Sequence, residues 1–122
     1  MSSQTVWILD DHEAARLALA EVLQQRRGFA VKHGSASAEQ AVSDAIQAQP
    51  DTLLIDTDTL SGDGVALCRR LLDACAQTAV YVLTAQPLRT RSQGRLTGVH
   101  AFLLKDLQVE RLIEVVRAHQ IR

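Results

Sequence analysis

Residues 6–11 read Val6-Trp7-Ile8-Leu9-Asp10-Asp11, an apolar run that ends on two acids. Three further runs also end on a polar residue: Leu53-Leu54-Ile55 on Asp56, Val80-Tyr81-Val82-Leu83 on Thr84, and Ala101-Phe102-Leu103-Leu104 on Lys105. Apolar runs that alternate with helical patterns are the signature of a parallel sheet covered by helices on both faces. The strands of such a sheet all end along one edge. Three carboxylates, a hydroxyl and an ammonium are therefore expected to converge on one spot.

The segments between the runs support this reading. A first helix is expected over His12 to Arg27, with Ala15, Leu19, Val22 and Leu23 at helical spacing and Gly28 as its stop. A second strand follows near Phe29 to His33. Ser37 and Gln40 form a capping box that opens a helix to about Gln49, where Pro50 blocks continuation. The third strand is Leu53 to Asp56. A loop with Gly62 and Gly64 leads to a helix over about Val65 to Ala76, and the fourth strand is Val80 to Thr84.

Pro87 suits the first turn of a fourth helix, although Thr90 to Thr97 has weak periodicity. Gly98 breaks the chain before a fifth strand, Ala101 to Leu104. A last helix over about Val109 to His119 carries Leu112, Ile113 and Val116 as its apolar stripe. Five strands and five helices suit a doubly wound α/β fold with a five-stranded parallel sheet in the order 2-1-3-4-5. In such sheets ligands bind at the carboxyl ends of the strands where the winding reverses. That switch point lies between strands one and three, which end on Asp10, Asp11 and Asp56.

The bulk numbers agree with this and exclude other classes. The 122 residues suit one domain over 1–122. At 47% apolar and 22% charged, the composition is that of an ordinary soluble globular protein. A net charge of -1 gives no general attraction to nucleic acid, so direct nucleic-acid binding is not expected. No signal peptide is legible at the polar N-terminus, and no apolar stretch approaches the roughly 20 residues of a membrane span. The expected location is the cytoplasm. Cys68 and Cys75 lack the His partners of a zinc site and read as buried or semi-buried free thiols. His12 reads as an exposed helix-start residue, and His33, His100 and His119 are scattered. Trp7 and Tyr81 lie in strands and read as core.

Three carboxylates in one pocket repel each other, at about 3 kcal/mol per pair for ~5 Å and an effective dielectric near 20. Lys105 offsets part of this, and a hard divalent cation offsets more. Oxygen ligands with retained water suit magnesium. A carboxylate is also a nucleophile toward phosphorus and forms an acyl phosphate. The transferring group needs positive charge on its equatorial oxygens. Magnesium, Lys105, and the Thr84 hydroxyl with nearby backbone N–H groups would supply it. For any one of these acids alone, the plain alternative is a cap on the following helix.

With these residues in view, the chain resembles the receiver domain of two-component response regulators over essentially its whole length. The resemblance rests on the acid pair Asp10-Asp11 followed by His12, and on the segments LLIDTDTLSGDG, VYVLTA and FLLKD, in order and spacing. It implies a flavodoxin-like receiver fold with Asp56 as phosphoacceptor. Asp10, Asp11 and Asp56 would hold Mg2+ with the Asp58 backbone carbonyl. Thr84 would be the switch hydroxyl, Phe102 the aromatic switch position and Lys105 the phosphate-binding lysine, with Ala85 small beside the phosphoryl group. Lys105-Asp106 in place of Lys-Pro is similar to the subgroup with a LuxR-type helix-turn-helix output domain. Such a DNA-binding domain is absent from these 122 residues, so the chain reads as a stand-alone receiver or part of a longer parent.

The implied partners are a sensor histidine kinase or phosphotransfer protein, a second copy in a homodimer, and an output domain, with no membrane. The implied function is a phosphorylation-controlled switch, transcriptional in its output, rather than an enzyme. The departures from the family are Leu60 where Pro is usual, the segment Gln86 to Thr97 with Arg89, Arg91 and Arg95, and the Asp58 side chain. That carboxylate is expected to alter the lifetime of the acyl phosphate. Two alternatives stand beside this reading. One is a receiver-like binding module that is not phosphorylated. The other is a phosphatase of the haloacid-dehalogenase type, whose first motif Asp56-Thr57-Asp58-Thr59-Leu60 also resembles.

Overall fold

The structure, a computed structural model, describes residues 4–34, 38–56, 64–84, 99, 101–104 and 109–120. Along the chain run β1 (Gln4–Leu9), α1 (Glu13–Gln24), β2 (Phe29–Gly34), α2 (Ala38–Ala48), β3 (Thr52–Asp56), α3 (Gly64–Ala74), β4 (Ala79–Thr84), β5 (Ala101–Leu104) and α4 (Val109–Gln120). The strands form one five-stranded parallel sheet in the order β2-β1-β3-β4-β5, the order expected from the sequence. Ser37, Gly62, the segment Gln86 to Thr97 with Pro87, and Gly98 lie outside the described residues.

The sheet explains why the central runs are apolar without alternation. Successive strand residues face opposite sides, and here both sides are covered. Trp7, Leu9, Leu53, Ile55, Val80 and Val82 join Ala41 and Ala45 of α2 and Leu67, Cys68 and Leu71 of α3 in one cluster. Val6, Ile8, Leu54, Tyr81 and Leu83 join Ala20 and Leu23 of α1 and Leu112, Ile113 and Val116 of α4 in the other. Trp7 and Tyr81 are core, as their strand positions suggest, and both thiols are free and buried.

Three details differ from the sequence expectation. The stripe of α1 centres on Ala20 and Leu23, with Leu19 and Val22 half-buried and Ala15 exposed. Alanine is too small to mark a face by itself.

Second, α1 ends at Gln24 rather than Arg27. The turn after it is tied elsewhere: Arg26 pairs with Glu110 of α4, and Arg117 of α4 donates to the Arg27 carbonyl at 2.8 Å. The Gln4 N–H donates to the Gly28 carbonyl at 2.7 Å, and Gly28 itself sits at φ 89°, where glycine is favoured.

Third, α3 ends at Ala74, and Cys75 follows it, held by its N–H to the Leu71 carbonyl at 2.9 Å. At the end of α2, Gln49 adopts φ 44° immediately before Pro50. Proline disfavours the helical region for the residue before it, and the chain turns there through the left-handed region.

Candidate functional site

The register places the strand ends. Leu9 of β1 pairs with Ile55 of β3, so Asp10 and Asp56 are the next residues along neighbouring strands. Asp56 in turn pairs with Leu83 of β4, and Thr84 follows. Thr84 pairs with Leu104 of β5, after which comes Lys105. Asp10 is 5% exposed, Asp56 2% and Thr84 0%, whereas Asp11 is half-buried. Asp10, Asp56 and Thr84 thus stand on the end of three adjacent strands. Lys105 and Asp58 lie outside the described residues, as do Leu60, Ala85, Arg89, Arg91 and Arg95. Phe102 belongs to β5, but its side chain is also outside the described part.

Burying a carboxylate is costly unless it is hydrogen-bonded. Among the described residues no buried side-chain nitrogen or oxygen lacks a hydrogen-bond partner. For Asp10 one partner is local: Oδ1 accepts the His12 backbone N–H at 2.8 Å. This is an Asx turn at the start of α1. His12, the N-cap residue, makes no side-chain cap itself and is exposed, in keeping with the sequence reading. Asp10 thus makes a local turn before the helix rather than the helix cap that an isolated Asp could supply, since its partner is the N–H of the N-cap residue itself. That bond does not exhaust the group, because a carboxylate has two oxygens and about four lone-pair sites.

Arg16, to which the sequence pattern gave no role, reaches the same place. Its Nη1 donates to the Asp10 carbonyl at 2.8 Å and its Nε to His33 Nδ1 at 3.3 Å. The signal for it in the sequence is a cation in the first turn of a helix, where the dipole favours an anion.

The donor set is all oxygen, which suits a hard cation. Among the described residues no group of three or more His, Cys, Asp or Glu side chains is drawn together to hold a metal. Magnesium does not require one: it keeps several waters and binds through one or two carboxylates. Asp10 and Asp56, buried on adjacent strand ends, meet that requirement.

The model of the response regulator receiver domain matches residues 6–117. The chain belongs to that family. Receiver domains are phosphoacceptor switches rather than conventional enzymes, and they bind a divalent ion at the phosphorylation site. The relatives are LuxR/NarL-type response regulators of two-component systems, mostly transcriptional. The DNA-binding transcriptional activator DevR/DosR of Mycobacterium tuberculosis is 26% identical over 113 residues, which cover 92% of this chain and 52% of that protein. The receiver thus spans about half the length of the curated relatives it matches.

Among solved structures, the CheX-CheY-BeF3-Mg+2 complex from Borrelia burgdorferi superposes with a TM-score of 0.84 at 18% identity, covering 99% of this chain and 92% of that one. A response regulator protein from Burkholderia pseudomallei, with a phosphorylated aspartic acid, calcium ion and citrate, superposes at 0.80 and 24% identity, covering 98% and 74%. These likenesses establish the fold. Among the described residues no helix is long and apolar enough to cross a membrane.

Proposed function

We propose that this receiver takes a phosphoryl group on Asp56 from a phospho-histidine of a sensor kinase or phosphotransfer protein. The donor's P–N bond breaks as a P–O bond forms to an Asp56 carboxylate oxygen, and the freed imidazole takes up a proton. The observation that carries the reading is the placement of buried Asp10 and Asp56 side by side on adjacent strand ends, with buried Thr84 closing β4 beside them.

Asp10, Asp11 and Asp56, with the Asp58 backbone carbonyl, would hold magnesium. Bound there, the ion would supply positive charge to offset that of the phosphoryl oxygens and of the acids at the strand ends. Thr84 donates its hydroxyl to one phosphoryl oxygen, and Lys105 pairs with another. The added charge of about -1.5 to -2 draws Thr84 and the loops beside it inward. Phe102 follows, and the face around β5 and α4 changes shape. That face then engages a second copy or the output domain of a longer parent chain, with transcription as the output. The receiver domain spans at least residues 6–117, and its proposed setting is the cytoplasm.

A phosphatase would place the acid motif on its first strand, whereas Asp56 ends the third strand of the chain in the middle of the sheet.

The test is intact mass after incubation with magnesium and acetyl phosphate, for the wild type and Asp56→Asn. A gain of one phosphate that requires both magnesium and Asp56 is expected. No gain, with no inorganic phosphate released in the same tube, overturns the reading in favour of a binding module that is not phosphorylated.

A further inference from the structure

Arg16 is the fourth residue of α1, within its first turn. The helix dipole disfavours a cation there, so the position calls for a compensating contact. A long helical side chain leans toward the helix N-terminus, and that lean carries the guanidinium back over the end of β1. Nη1 donates to the Asp10 carbonyl at 2.8 Å, and Nε donates to His33 Nδ1, near the end of β2, at 3.3 Å. The Asp10 N–H faces the Gly34 carbonyl, the next residue of β2, at 3.5 Å. The Asp10 carboxylate is held by the His12 N–H at 2.8 Å. The Asp10 N–H, carbonyl and Oδ1 are thus each engaged, and Arg16 joins α1, the end of β1 and the end of β2.

We propose that Arg16 is a positioning residue, which fixes the backbone at Asp10 through its two donors so that the Asp10 carboxylate is presented to the cation. The inference rests on the reading of Asp10 as a magnesium ligand. The planar fork matters because two donors on different nitrogens meet two acceptors on different strands. A lysine ammonium is a single point and cannot reproduce that span. Arg16 also places a positive charge near the cation, which works against binding. Positioning and repulsion therefore predict opposite results when Arg16 is replaced, and the proposal is that positioning dominates.

The experiment compares wild type, Arg16→Lys and Arg16→Met in two measurements on the folded protein. Calorimetric titration with magnesium chloride is expected to show affinity weakened about tenfold in both variants, the size typical of losing a group that orients a metal ligand. Tighter or unchanged binding in Arg16→Met overturns the proposal, because repulsion would then dominate. The second measurement is amide hydrogen exchange without magnesium. It is expected to quicken at His12, whose N–H bonds the Asp10 carboxylate, with little change at Leu54 or Val82. Acceleration spread evenly over the chain makes Arg16 a general stability residue and overturns the proposal. If wild type binds no magnesium, the proposed function fails, while His12 exchange still decides the tether.

Discussion

Asp10 and Asp56 end neighbouring parallel strands in register, each one residue beyond the paired Leu9 and Ile55. Neighbouring strands run about 4.8 Å apart. Two carboxylates at that spacing repel by about 3 kcal/mol at an effective dielectric of 20. The fold holds them together because apolar strand residues on both sides are buried, not because the acids favour it.

Relief of that repulsion is measurable. Asp10→Asn keeps an oxygen to accept the His12 N–H and removes one charge. Without magnesium it is expected to raise unfolding stability by about 1–2 kcal/mol, less than the bare pair interaction because hydrogen bonds already offset part of it. Wild type should gain about 2.7 kcal/mol from magnesium at a hundred times its Kd, and the variant much less. Urea unfolding with magnesium or with EDTA checks both. A variant less stable than wild type in EDTA would contradict the repulsion argument.

Thr84 is wholly buried at the end of β4. Thr84→Val keeps its shape but deletes the hydroxyl, leaving a buried partner unsatisfied at a cost of about 1–3 kcal/mol. Phosphorylation by acetyl phosphate should slow in Thr84→Val and persist in Thr84→Ser. A time course of the phosphorylated mass, run on samples checked as folded, distinguishes them. Equal rates in wild type and Thr84→Val would remove the hydroxyl from the mechanism.

Burial pushes the Cys68 thiol from its ordinary 9.0 up to about 12. Burial also raises Cys75, against a hydrogen bond with Thr78 that works the other way. A thiol held neutral in the fold contributes stability that is fully present below the unfolded value near 9 and is lost as pH rises toward the folded value. Unfolding stability should therefore decline above pH 9, and less steeply in Cys68→Ala measured against its own value at neutral pH. Ellman's reagent at pH 8 should leave both thiols unmodified until denaturant is added.

Gln49 stands at φ 44°, in the left-handed region, between Ala48 at the end of α2 and Pro50. Glycine tolerates that conformation without the steric cost of about 1–2 kcal/mol that a side chain brings. Its greater freedom in the unfolded chain takes back part of the gain. Gln49→Gly should raise stability by about 0.5 kcal/mol, read as a higher urea midpoint at unchanged m-value. A loss of stability would show that the Gln49 Nε2 bond to the Ile46 carbonyl, 3.1 Å long, matters more than the backbone strain.

The strands were legible because burial on both faces leaves a continuous apolar run, such as Leu53-Leu54-Ile55, bounded by polar residues. The stripe Leu112, Ile113 and Val116 was legible for the same local reason, and all three residues are buried. The end of α1 was not. Gly28 is a plausible stop, yet Arg26 and Arg27 leave the helix for partners on α4, far along the chain. The role of Arg16 was not legible either, because its acceptors are a carbonyl and a ring at the ends of β1 and β2.

The sequence by itself therefore determined the kind of sheet, the residues that end its strands and the chemistry those residues share. Periodicity and turn chemistry act over a few residues, so they can be read directly. The expected strand order already put Asp10 beside Asp56 with Thr84 next; only the tertiary structure decided that Arg16 reaches back to hold Asp10 and that Arg26 leaves α1 to pair with α4. Those relations depend on which elements become neighbours once helices cover both faces, and that choice is made by packing between segments distant in the chain.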